Sequence, residues 1–139
     1  MESITNRPAL SLLLVEDDKS AIAVLNAMIQ RKFPDIAIFT AADGRQGVEL
    51  GKEHSPDIVI TDINMPGMDG LQMAGEIKSI KPDTRIIVFT GYSDKIHLDN
   101  FDAIGISAYI LKPIEFQQLF TAIEKCIAEI VRNDDDQAR

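Results

Sequence analysis

Five short runs of apolar and β-branched residues constrain this chain more than any other feature. They begin near Leu10, Asp35, Asp57, Thr84 and Gly105 and read LSLLLV, DIAIF, DIVIT, TRIIVF and GISAYIL. A strand with one wet face alternates apolar and polar residues. These runs are nearly continuous, the pattern of strands covered on both faces in a parallel sheet. Parallel neighbours need a long crossover between them, and each interval holds a strand, a turn, a helix and a second turn. The spacing therefore predicts five βα units with right-handed crossovers and helices on both faces of the sheet.

The intervals support the helices. Ile22, Leu25, Met28 and Ile29 share one face of the first. Asp43 followed by Gln46 reads as an N-cap with a reciprocal partner at the start of the second. Gly47 and Gly51 weaken that second helix, so packing must hold it. In the last helix Phe116, Leu119, Phe120, Ile123, Ile127 and Ile130 form one apolar stripe, and Cys126 on it reads as core. The expected layout is an N-terminal extension at 1–9, one domain at 10–131 and a frayed, solvated acidic tail at 132–139, with Asp134–Asp136 in it.

Polar residues with chemical capacity gather where the apolar runs stop. Glu16, Asp17 and Asp18 follow the first run and Thr61-Asp62 closes the third. Thr90-Gly91 closes the fourth, and Lys112-Pro113 the fifth. In a parallel sheet these carboxyl ends lie on one edge, where ligands of open α/β folds bind. The second run ends in Thr40-Ala41-Ala42, with little such chemistry, which fits it at the margin of the sheet. The strand order 2-1-3-4-5 of flavodoxin-like folds satisfies both observations.

On that edge Glu16, Asp17 and Asp62 bring three carboxylates together, and like charges so placed need neutralising. A hard divalent cation with oxygen ligands, Mg²⁺ or Mn²⁺, answers the need. Lys112 adds a compact positive charge, Thr90 a hydroxyl donor, and Gly91 room for a bulky anion. Carboxylates, metal, lysine, hydroxyl and a central aspartate able to form an aspartyl phosphate compose a phosphoryl-transfer site. The rest of the chain excludes other classes. Twenty-two acidic against 14 basic residues give a net charge of −8, against direct nucleic-acid binding. A single cysteine closes no internal disulfide and no zinc site. No stretch is long and apolar enough for a membrane span, and the polar start lacks a signal-peptide layout, so a cytoplasmic protein is expected.

The segments LLLVEDD (Leu12–Asp18), IVITDINMPGMDG (Ile58–Gly70), IIVFTG (Ile86–Gly91) and AYILKPI (Ala108–Ile114), in this order, resemble the receiver domain of two-component response regulators over about Leu10 to Val131. The resemblance implies that Asp62 accepts a phosphoryl group from the phosphohistidine of a sensor histidine kinase or phosphotransfer protein. It implies that Asp17 holds Mg²⁺ directly, Glu16 through water, and Asn64 through its backbone carbonyl. Thr90 matches the switch hydroxyl, Tyr109 the switch aromatic and Lys112 the phosphate-pairing lysine, and Lys112-Pro113 matches a bond that is cis in the family. Asn64 and Tyr92 match positions that tune the phosphate's lifetime. The family often carries Asp where this chain has Glu16, a change that keeps the chemistry.

The implied function is a phosphorylation switch rather than an enzyme, with self-phosphorylation and slow autodephosphorylation only. It would alter the surface of the fourth helix, fifth strand and fifth helix to regulate a downstream protein, with phosphorylation-dependent dimerisation as a further expectation. A receiver excised from a hybrid sensor kinase or multidomain regulator is the alternative, and a haloacid-dehalogenase-type Mg²⁺ phosphohydrolase the remote one. If the chain is whole it must signal by protein contact; a reading frame continuing past Arg139 would decide. Other polar residues have plainer readings. Asp18 is expected to cap the first helix, and Asp69-Gly70 to make the turn that opens the third. Met65 and Met68 are expected to pack their loop, and His54 and His97 to lie at surfaces or helix ends.

Overall fold

The computed structural model describes residues 9–63, 68, 70–91 and 102–137, the last three by backbone alone. In chain order the elements are β1 (Ser11–Val15), α1 (Lys19–Lys32), β2 (Ala37–Ala41), α2 (Gly44–His54), β3 (Ile58–Asp62), α3 (Gly70–Ile80) and β4 (Arg85–Thr90). They continue with a fourth helix, α4, described at 102–104, then β5 (Ala108–Leu111) and α5 (Phe116–Gln137). All strand pairs are parallel and the order is β2-β1-β3-β4-β5, as the placement of the polar residues requires.

Strand alternation divides the core into two layers. Leu12, Leu14, Ile58, Ile60, Ile87 and Phe89 face Leu25 and Ile29 of α1 and Leu119, Ile123 and Cys126 of α5. Leu13, Val15, Val59, Ile86 and Val88 face Val48 of α2 and Met73 and Ile77 of α3. β3 is buried along its whole length, so its neighbours on both faces and both edges fix where it ends. Burial pushes the Cys126 thiol up to about 11, which makes it an inert part of the apolar stripe.

Capping follows the sequence. Asp18 Oδ1 accepts from the backbone N–H groups of Ser20 and Ala21 at 2.9 and 3.1 Å. Asp43 Oδ1 accepts from Gln46 N at 2.8 Å, while Gln46 Oε1 reaches back to Ala42 N at 2.8 Å. The glycines of α2 have a use that propensity does not reveal. A Cβ at Gly47 would sit 2.5 Å from Met73 Sδ, and one at Gly51 would sit 3.0 Å from Ile77 Cγ1. Their bare backbone lets α2 lie directly against α3.

The structure departs from expectation in two places. Strands begin one to three residues later than the apolar runs do. Residues 34–36 are spent in a turn that begins at Pro34, and Gly105 takes φ +95° before β5 can start. The acidic stretch expected to fray is instead helical through Gln137. Asp134 is exposed, as a solvated residue should be, and lines a cleft of mixed charge with Asp57, Lys81, Asp83 and Arg85.

Candidate functional site

The carboxyl ends of β1, β3, β4 and β5 deliver the site. Glu16 and Asp17 occupy the turn between β1 and α1. Glu16 is tied in by its own N–H, which donates to Ala41 O at 3.1 Å, and by its Oε2, which accepts from Asp18 N at 3.0 Å. Asp62 is the last residue of β3 and 5% exposed. Thr90 is the last residue of β4, also buried, and its carbonyl accepts from Lys112 N at 2.7 Å. That bond carries Lys112 to the end of the sheet, where its Nζ donates to Asp62 Oδ2 at 2.6 Å. The Lys112–Pro113 peptide bond is cis.

One carboxylate oxygen from each of Glu16, Asp17 and Asp62 lies within 4.8 Å of the others. With all three ionised and Lys112 protonated, two negative charges stay unbalanced, the charge of one divalent cation. The strain registers on Glu16, whose carboxyl is held above its ordinary value first by burial, with Asp17 and Asp62 adding to the rise and the Asp18 N–H opposing it. Ligands of a six-coordinate Mg²⁺ are separated by at most about 4.2 Å at its usual bond length, close to the observed spread. Hard oxygen donors, their count and their excess charge fit Mg²⁺ or Mn²⁺.

Tyr109 lies on β5 in register with Val88, partly buried against the α2–α3 layer. Its hydroxyl donates to Asp102 Oδ1 on α4, a short contact that nothing in the sequence signals. Sequence reasoning places Thr61 at the strand end without a role; its Oγ1 donates to the Asp62 carbonyl at 2.9 Å, and the tight seat of Gly70 beside that carbonyl is likewise not foreseen. Gly70 does open α3 as expected, and His54 closes α2, stacked on Phe39 with ring centroids 3.8 Å apart. Asn64, Met65, Asp69, Tyr92 and His97 lie outside the described residues.

The sequence and the fold have counterparts among known proteins. The family model described as "Response regulator receiver domain" matches residues 12–124. The chain belongs to the response regulator receiver family. Among curated relatives, the uncharacterized transcriptional regulatory protein YesN of Bacillus subtilis is 30% identical over 124 residues, spanning 88% of this receiver and 34% of that protein. Sporulation initiation phosphotransferase F of the same organism is 26% identical over 114 residues, spanning 82% of this receiver and 90% of the relative. The crystal structure of the N-terminal domain of an uncharacterized protein from Wolinella succinogenes is 33% identical with a TM-score of 0.82, covering 90% of this receiver and 99% of that chain. The receiver spans between 34% and 56% of the length of the first curated relatives it matches. Among the described residues no helix is long and apolar enough to cross a membrane.

Proposed function

We propose that Asp62 accepts a phosphoryl group from the phosphohistidine of a sensor histidine kinase or phosphotransfer protein, and that the modified domain regulates a protein target. The observation that carries this reading is the Lys112 Nζ–Asp62 Oδ2 pair, 2.6 Å apart, at the edge of a three-carboxylate cluster. A structural ion pair needs no further carboxylates beside it; a site that must receive a phosphoryl group needs both the cation and the excess of negative charge that recruits a metal.

In the reaction the P–N bond of the phosphohistidine breaks as a bond forms between phosphorus and an Asp62 carboxylate oxygen, and the imidazole leaves. Glu16, Asp17 and Asp62, with the Asn64 carbonyl implied by the family resemblance, would hold Mg²⁺, which when bound offsets the charge of the carboxylates and of the phosphoryl oxygens. Lys112 then pairs with the incoming oxygens, and the Thr90 hydroxyl donates to them. Both interactions exist only with the phosphoryl group present, so both bias the domain toward the packing in which they form. Because Lys112 N is bonded to Thr90 O, the ends of β4 and β5 respond together. The surface of α4, β5 and α5, with Tyr109 in it, carries the result to a target, separate or on the same polypeptide, or to a second copy.

The test is intact mass after incubation with acetyl phosphate. A gain of one phosphoryl group is expected with Mg²⁺, lost with EDTA and lost in Asp62→Asn, whose near-isosteric side chain leaves the fold intact. A persistent gain on Asp62→Asn overturns the assignment.

A further inference from the structure

We propose that Gly70, the first residue of α3, is a positioning residue for Asp62, an inference that rests on the phosphoacceptor reading above. Among the described residues, two contacts converge on the Asp62 main-chain carbonyl. One is the hydrogen bond from Thr61 Oγ1, 2.9 Å long. The other is Gly70 itself. A Cβ built there falls 2.5 Å from the Asp62 carbonyl oxygen and 3.5 Å from both the carbonyl carbon and Ile63 Cα.

Real Cβ atoms essentially never approach another atom to under 3.0 Å, and relief is cheap only when the neighbour is the tip of a flexible side chain. Here the neighbour is backbone, in the last residue of a fully buried strand. Any side chain at position 70 must therefore lift α3 off the end of β3 or carry the Asp62 peptide with it, by roughly an ångström if ordinary van der Waals contact is to be restored. The Asp62 carboxylate inherits its place beside Lys112 Nζ and the Glu16 and Asp17 carboxylates from its own Cα, so a moved peptide is a moved acceptor. A misplacement of about 1 Å costs roughly 10²-fold in rate when reacting groups must be aligned.

Gly47 supplies the control. A Cβ there also meets an atom at 2.5 Å, but that atom is Met73 Sδ, the far end of a flexible side chain, with the Val15 Cγ2 methyl next at 3.3 Å and no backbone atom of Asp62 among its nearest neighbours. Gly47→Ala introduces a packing fault without touching the Asp62 peptide.

The experiment measures the rate of acetyl phosphate-driven mass gain, the Mg²⁺ dissociation constant by calorimetry, and thermal stability, for the unaltered chain, Gly70→Ala, Thr61→Val and Gly47→Ala. Gly70→Ala is expected to fold and to lose about tenfold to hundredfold in rate with weakened Mg²⁺ binding. Gly47→Ala is expected to lose stability yet keep its rate within about twofold, since separate sites act independently. Thr61→Val removes the hydrogen bond to the same carbonyl and is expected to slow phosphorylation too, which decides the matter if Gly70→Ala does not fold. A folded Gly70→Ala with unchanged rate and Mg²⁺ affinity overturns the proposal, as does a Gly47→Ala that slows in parallel, or an unaffected Thr61→Val beside an unfolded Gly70→Ala. If the unaltered chain gains no phosphoryl group, the phosphoacceptor reading fails and this one falls with it; losses confined to the position-70 and position-61 variants leave that reading standing.

Discussion

At the scale of single residues, Glu16 shows how one carboxylate can cost stability in the service of a site. Burial holds its carboxyl above the ordinary 4.5, with the nearby Asp17 and Asp62 adding to the rise and the Asp18 N–H pulling the other way. A group whose folded pKa is raised favours the folded state when protonated. Its contribution is fully present below the unfolded value and declines as pH rises through the folded one. In EDTA, Glu16→Gln is therefore expected to melt higher than the unaltered chain at neutral pH, on the order of 3 °C for each kcal/mol relieved, and the gap should close as the solution falls below pH 4.5. Gln keeps an acceptor for Asp18 N, so the turn is preserved. The same variant is expected to lose most of the stabilisation that Mg²⁺ gives the unaltered chain, since one of three charged ligands is gone. Calorimetric scans across pH, with and without Mg²⁺, check both halves; a Glu16→Gln protein less stable than its parent at pH 7 in EDTA would contradict the account.

At the scale of elements, the helices divide by what their glycines face. α2 carries Gly47 and Gly51 on the side that meets Met73 and Ile77, and there the missing Cβ atoms set the distance to α3. Gly75, in the middle of α3, has nothing within 4 Å of where its Cβ would be. It contributes only the flexibility a helix does not want. Gly75→Ala is thus expected to stabilise the domain by about 0.5–1 kcal/mol, read as a higher urea midpoint at unchanged slope. A lowered midpoint would mean that α3 depends on that freedom. The two helices also mark the limit of sequence reading at this scale. Their glycines look alike to a propensity scale, and only the neighbouring helix tells a close approach from an idle gap. The caps at Asp18 and Asp43, by contrast, are local chemistry and were legible from side-chain type and spacing.

At the scale of the whole molecule, the question is whether a charge added at Asp62 reaches the α4–β5–α5 surface. To move a two-packing equilibrium from 1:99 to 99:1 takes a bias of about 5.5 kcal/mol. Lys112 is the residue through which that bias should pass, because its Nζ meets Asp62 and its N–H meets the end of β4. Lys112→Ala is expected to take up a phosphoryl group in Mg²⁺ and yet fail to change the surface. In amide NMR spectra the parent's β5 and α5 resonances shift on phosphorylation, while those of the variant stay within about a tenth of that displacement, the range left by a bias some kcal/mol smaller. Equal shifts in the two proteins would remove Lys112 from the coupling. The sequence by itself determined the sheet, its order and the identity of the edge that carries the chemistry. Continuous apolar runs separated by helix-length intervals fit a parallel sheet covered on both faces, and such a sheet gathers its strand ends on one side. The tertiary structure alone decided how those ends are held. Gly70 against the Asp62 carbonyl, and Gly47 and Gly51 against Met73 and Ile77, are each fixed by atoms that only the fold brings together, and contact between separate elements leaves no periodicity in a sequence to be read.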